Sequence, residues 1–179
     1  EGQLQALGLL DARRAVTRFR LRGRELAELV GWCRDPGAGA VWVLAGPAGA
    51  GKTRLAVSLA QELVEGDESW LVGAAYPGLA IEAVQAAAGL GLPVLVVVYQ
   101  ADTRTDVAAA LTSLPAAGVR VLLLAREPVD GPWWTALRRG VSGFRGQAAV
   151  AQVGRSTLGP LATARGDQQQ LFDKAVDEY

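Results

Sequence analysis

Histidine is absent from these 179 residues, and cysteine occurs once, as Cys33. The first absence removes the histidine base and the imidazole metal ligand; the second removes an internal disulfide and any cysteine zinc cluster. Lysine is almost missing too. Of the 18 basic residues only Lys52 and Lys174 are lysine, and the rest are arginine. Net charge is likewise absent, with 18 acids against 18 bases. No global field therefore draws the chain to nucleic acid or to a membrane surface. The N-terminus shows no charged-then-apolar signal pattern. What is present is a chain 50% hydrophobic, enough to bury a core in one domain. A cytoplasmic protein is expected.

One of the two lysines falls in Gly46-Pro47-Ala48-Gly49-Ala50-Gly51-Lys52-Thr53. This run fits G-x-x-x-x-G-K-[ST] at every fixed position, the pattern of a phosphate-binding P-loop. An apolar run, 41–45, enters it, and 54–60 reads as a helix leaving it. Glycines let successive N–H groups turn toward phosphate oxygens, and the helix N-terminus adds a favourable dipole. Lys52 would reach the β- and γ-phosphates, and the Thr53 hydroxyl would ligate Mg²⁺. A glycine-rich turn that happens to read Gly-Lys-Thr is the structural alternative. The scarcity of lysine elsewhere argues against it.

Before this loop, residues 1–18 read as a linker. Arg13, Arg14, Arg18, Arg20, Arg22 and Arg24 form a basic run without an acid until Glu25. It reads as a nucleotide- or nucleic-acid-facing patch, or as a solvated face countered elsewhere; the charge balance favours the second. A helix follows over 25–33, with Leu26, Leu29, Val30 and Cys33 on one face, so Cys33 is expected in the core. Asp35-Pro36-Gly37 closes it.

After the loop, strands are expected over 70–76, 93–99 and 119–125, and a weaker one over 148–153. Helices are expected over 79–88, 106–114 and 132–139. Residues 83–101 carry no charge and are long enough to cross a bilayer, but Gly89, Gly91 and Pro93 divide them into a helix end and a buried strand. Strands apolar at every position are buried on both faces, as in a parallel sheet. The fold class expected is α/β: a doubly wound parallel sheet of the P-loop NTPase type, ASCE- or AAA-like, over 19–157. A short N-terminal helical segment precedes it, and 158–179 starts a helical lid. In 167–179 Leu171, Phe172, Ala175, Val176 and Tyr179 form a helical stripe that stops without a cap, which reads as a boundary inside a larger protein.

Phosphoryl transfer asks for a carboxylate at the tip of the strand next to the loop. The strand over 93–99 ends instead in Tyr99, Gln100 and Ala101, and the first acid is Asp102. Either Asp102 folds back to serve the metal, or the metal site is weakened and hydrolysis is poor; the second is favoured. Glu127 and Asp106 are further candidates. Arg126, at the tip of the strand over 119–125, would face the γ-phosphate if that strand lies beside the loop strand. Its alternative is a surface arginine paired with Glu127 or Asp130. Arg104 is a weaker candidate for the same role.

The run from Phe19-Arg20-Leu21-Arg22-Gly23-Arg24-Glu25-Leu26, through Gly31-Trp32-Cys33 and the loop with Arg54, resembles STAND NTPases. These are signal-transduction ATPases of the NB-ARC and NACHT kind, here most like actinobacterial members fused to tetratricopeptide repeats. The stretches 96–104 and 121–126 resemble the family's Walker B and sensor-arginine strands, and Leu158-Gly159-Pro160-Leu161 its passage into the lid. The resemblance implies an ATP/ADP switch with Mg²⁺, nucleotide exchange controlling oligomerisation and effector activation. It implies that Gly23 and Arg24 pack on adenine, and that Arg54 belongs to the nucleotide site. The residues assigned to catalysis are then Lys52, Asp102 and Arg126, and those on the metal Thr53 and Asp102. Partners implied are a winged helix, a repeat sensor and an effector in the same polypeptide, and further copies on activation. Tyr99 departs from the family's aspartate. A catalytically active AAA-like ATPase or small-molecule kinase is the alternative.

Overall fold

The computed structural model describes Leu7–Leu9 and residues 22–66, 69–115 and 117–160. Its frame is a set of short apolar strands: β2 (Val41–Ala45), β3 (Leu71–Ala75), β4 (Val94–Val98) and β5 (Val119–Ala125). They pair in parallel with β6 (Gly154–Thr157), and β1 (Leu7–Leu9) adds antiparallel to β3. The order across the sheet is β1-β3-β4-β5-β2-β6. β5 therefore lies between β2 and β4, with Val41 opposite Val121 and Val94 opposite Val119.

Side-chain alternation along each strand divides the sheet between two cores. Val41, Val43, Val94, Val96, Val98, Val119 and Val121 face one side. There they meet the alanines of α3 (Ala80–Ala88), Val107 and Leu111 of α4 (Val107–Thr112), Trp134 and Leu137 of α5 (Pro132–Gly140), and Ala149 and Val150 of α6 (Phe144–Ala151). Leu44, Leu95, Val97, Leu122 and Leu124 face the other, against α1 (Gly23–Arg34) and α2 (Lys52–Val64). The chain is thus α/β, with a five-stranded parallel sheet covered by helices on both faces. Residues 83–101 split as expected: α3 stops at Ala88, a turn follows, and β4 begins at Val94. Among the described residues no helix is long and apolar enough to cross a membrane.

Two assignments made from the sequence need correction. The strand expected over 148–153 is the end of α6, and the last strand lies further on, at Gly154–Thr157. An apolar run this short does not separate strand from helix by periodicity. Packing decides it. Gly146 faces α4 so closely that a Cβ would sit 2.7 Å from Val141 and 3.1 Å from the Leu111 carbonyl. In addition, Leu7–Leu9, inside the segment read as linker, forms an edge strand. The arginines at 13, 14, 18 and 20, the start of the box at 19–21, and the lid segment from 161 onward lie outside the described residues.

Candidate functional site

Parallel strands put all their carboxyl ends on one side, and the loop of residues 46–51 sits there, between β2 and α2. Its conformation requires glycine. Gly46 has φ 151°, and a Cβ on it would stand 2.6 Å from the Leu158 carbonyl oxygen. Gly51, with φ 86°, is the N-cap of α2, and its carbonyl accepts the Leu55 N–H at 2.8 Å. Ala50 is buried in the α1/α2 core, whereas 47–49 form an exposed rim. The loop is thereby anchored at both ends and open between them.

Lys52, the first residue of α2, bends back across this rim. Its ammonium donates to the Gly46 carbonyl at 2.5 Å and the Pro47 carbonyl at 2.9 Å. Burial lowers its pKa below the usual lysine value; the Asp102 carboxylate opposes the shift, and the Arg126 charge adds to it. That electrostatic coupling brings three of the expected residues, Lys52, Asp102 and Arg126, into one neighbourhood. Thr53 and Arg54 follow on the exposed first turn of α2.

Asp102 does fold back. Gln100, at φ 52°, is the only non-glycine residue with positive φ among those described, and it turns the chain sharply after β4. A left-handed non-glycine residue costs on the order of 1 kcal/mol, and such residues gather at functional sites. A short 3-10 turn, Ala101–Thr103, then carries Asp102 to the tip of β5. There Asp102 Oδ2 accepts the backbone N–H of Arg126 at 3.0 Å. Its Oδ1 is buried with no hydrogen-bond partner. A buried carboxylate oxygen without a donor is costly, and asks for a cation or an ordered water.

This bears on the expected Mg²⁺. Among the described residues no group of three His, Cys, Asp or Glu side chains could hold a metal. A hard cation on phosphates needs fewer, since it keeps several waters and takes oxygens from the ligand. The exposed Thr53 hydroxyl and the orphaned Asp102 Oδ1 fit that donor set.

The remaining candidates separate. Tyr99 is half-buried against the α1/α2 core, and burial pushes its phenol pKa up. The exposed Arg126 makes no ion pair with Glu127 or Asp130. The loop after β5 is pinned instead by Trp133 Nε1, which donates to the Pro128 carbonyl at 2.8 Å. Arg104 and Asp106, read as sensor and metal-acid candidates, are bonded to each other. Arg104 Nε donates to Asp106 Oδ1 at 2.9 Å, and its other nitrogens hold the Ala75 and Tyr76 carbonyls. Asp106 Oδ2 accepts the Ala80 N–H at 2.9 Å, at the start of α3. That role was not visible in the sequence, where only the two-residue spacing hinted at a pair. Cys33 is buried as expected, and desolvation pushes its thiol up to about 12.

Gly23 and Arg24 are exposed on the first turn of α1, and a Cβ on Gly23 would touch nothing. Their link to the loop runs through Arg22. One of its nitrogens donates to the Gly159 carbonyl at 2.5 Å, while Leu158 donates to the Ala45 carbonyl at 2.8 Å and presses on Gly46. No family model and no curated protein matches this chain.

Proposed function

We propose that this domain is a nucleotide-binding switch module that takes ATP or ADP with Mg²⁺, of the STAND signal-transduction type. The observation that carries the reading is the Lys52 ammonium resting on the Gly46 and Pro47 carbonyls, where a bound β-phosphate would replace those acceptors. The loop N–H groups and the α2 N-terminus bind and orient the phosphates. Lys52 compensates their charge. Thr53 and Asp102 would hold the cation, which would supply charge neutralisation. The insertion of β5 between β2 and β4 supports Arg126 as the group that distinguishes a γ-phosphate. The contact of residues 158–159 with Gly46 and Arg22 supports a lid beginning at that point, through which nucleotide state reaches neighbouring domains and further copies of the chain.

A melting experiment tests this. ADP at about a hundred times its Kd adds ~2.7 kcal/mol, or about 7 °C in Tm for a chain of this size. Lys52→Ala is expected to abolish the shift while leaving the ligand-free Tm within about 2 °C. An equal shift in both proteins overturns the assignment.

The placement of Asp102 favours a second reading, an active AAA-like ATPase or small-molecule kinase. Its carboxylate reaches the loop neighbourhood despite Tyr99, so the metal site is better equipped than strand position alone indicated. Turnover of several per second, a typical enzymatic rate, would select this reading over a slow switch.

A further inference from the structure

The other end of the sheet, where the strands begin, carries a second feature. A groove of about 480 Å³ opens there between the end of α1, the start of β5 and α6. Its lining combines Trp70, Phe144 and several prolines with three arginines, Arg34, Arg120 and Arg145, and it contains no acid. Among the described residues none of the three arginines is ion-paired. Arg120 is held rigidly: it donates to the Ala38 carbonyl at 2.8 Å and lies 5.9 Å from the centre of the Trp32 ring. The charges of Arg120 and Arg34 both act on Cys33 in the groove wall.

Phe144 is 90% exposed, unusual for a phenylalanine at the first position of a helix. Leu90 and Leu92 are also exposed at this end of the sheet, and the residues around Pro93, Gly118 and Val119 connect them to the groove. Apolar surface with a rim of one charge sign marks an interaction site.

We propose that this groove docks an acidic amphipathic segment of a partner polypeptide. The partner's carboxylates meet the exposed Arg34 and Arg145, and its apolar anchors pack on the exposed Phe144. Charge complementarity sets the sign, because the exposed Arg34 and Arg145, in a lining without an acid, select carboxylates. The apolar lining sets the class. Arg120 spends its donors on backbone carbonyls and braces the groove wall, and the apolar lining suits the apolar face of an amphipathic helix. The site is remote from the phosphate loop and stands whether or not the loop binds nucleotide.

The test uses the full chain and a fluorescein-labelled helical peptide with Phe and Leu on one face and Glu along both flanks. Fluorescence anisotropy should show saturable binding that weakens with salt. A peptide with Glu replaced by Gln should bind at least about tenfold more weakly, as should the chain carrying Arg145→Glu or Phe144→Ser. Both residues are exposed, so these variants should keep the wild-type melting temperature, and any nucleotide shift should be unchanged. No binding, or equal binding of the Gln peptide, overturns the proposal. Tighter binding of oligothymidylate than of the acidic peptide overturns it in favour of nucleic acid. Competition by a second copy of the chain, seen as a concentration-dependent dimer that Phe144→Ser dissolves, overturns it in favour of self-association.

Discussion

Two acid–arginine pairs stand at the carboxyl ends of neighbouring strands, and they are built in opposite ways. Arg104 and Asp106 satisfy each other and three backbone groups, and their side chains are only 8% and 14% exposed. They join the end of β3, the start of α3 and the start of α4. Asp102 and Arg126 share a single bond, from the Arg126 backbone N–H to Asp102 Oδ2. Among the described residues the guanidinium makes no ion pair and the second carboxylate oxygen has no hydrogen-bond partner. A fully used pair holds structure, whereas unspent hydrogen-bonding capacity beside the glycine-rich loop points to a ligand.

The largest expected effect comes from breaking the satisfied pair. Arg104→Ala leaves a carboxylate with its main partner gone and two carbonyls unbonded, a loss of about 3 kcal/mol, which lowers Tm by about 9 °C. The pair also leaves a signature in acid. The hydrogen bond from Arg104 is the main cause holding Asp106 below its ordinary value of 3.8. Its contribution is therefore fully present above that value, and it is lost as pH falls through the depressed folded value. Acid titration of stability should show this loss in the wild type, and Arg104→Ala should flatten it. An unchanged Tm in Arg104→Ala would mean that the clamp holds nothing.

Breaking the unsatisfied pair should do something different. Asp102→Asn keeps an acceptor for the Arg126 N–H, so Tm should move by less than about 3 °C. It also removes a negative charge from the neighbourhood of Lys52, where the proposed function places the nucleotide's phosphates. Without Mg²⁺, ADP should bind about fivefold more tightly, the effect of roughly 1 kcal/mol of lost repulsion. With Mg²⁺ the order should reverse, because under the proposed function the carboxylate would then face the cation. Calorimetry in EDTA and in Mg²⁺ measures both signs. Equal affinities under both conditions would separate Asp102 from the metal.

The same contrast explains what could be read from residue order. The loop, β4 and β5 were legible because each is specified locally, by Gly-Lys-Thr spacing or by an unbroken apolar run. β2, β3, β4 and β5 fall within a residue of the runs expected. Asp102 could be named but not placed, because its return depends on one left-handed residue, Gln100, that no side-chain pattern announces. The clamp of Arg104 and Asp106 was not legible because their partners, Ala75, Tyr76 and Ala80, lie over 20 residues away in the chain. β6 escaped entirely. Gly-Arg-Ser-Thr has no apolar period, and what admits it is Trp42, whose ring lies where a side chain on Gly154 would have to go.

Arg126 offers the smallest effect on stability and the sharpest test of the comparison. Its side chain is exposed and, among the described residues, without an ion pair, so Arg126→Gln should leave Tm within about 2 °C, as for surface substitutions generally. Its backbone N–H, the group that Asp102 holds, is untouched by the substitution. Any change in nucleotide behaviour then reports the guanidinium alone. ATP affinity should fall relative to ADP affinity by about tenfold, the value of a charge-assisted contact that only the γ-phosphate can make. A proportional loss for both nucleotides would place the guanidinium at the β-phosphate beside Lys52. No loss for either would make Arg126 a solvated neighbour whose only structural contribution is the N–H that Asp102 already uses.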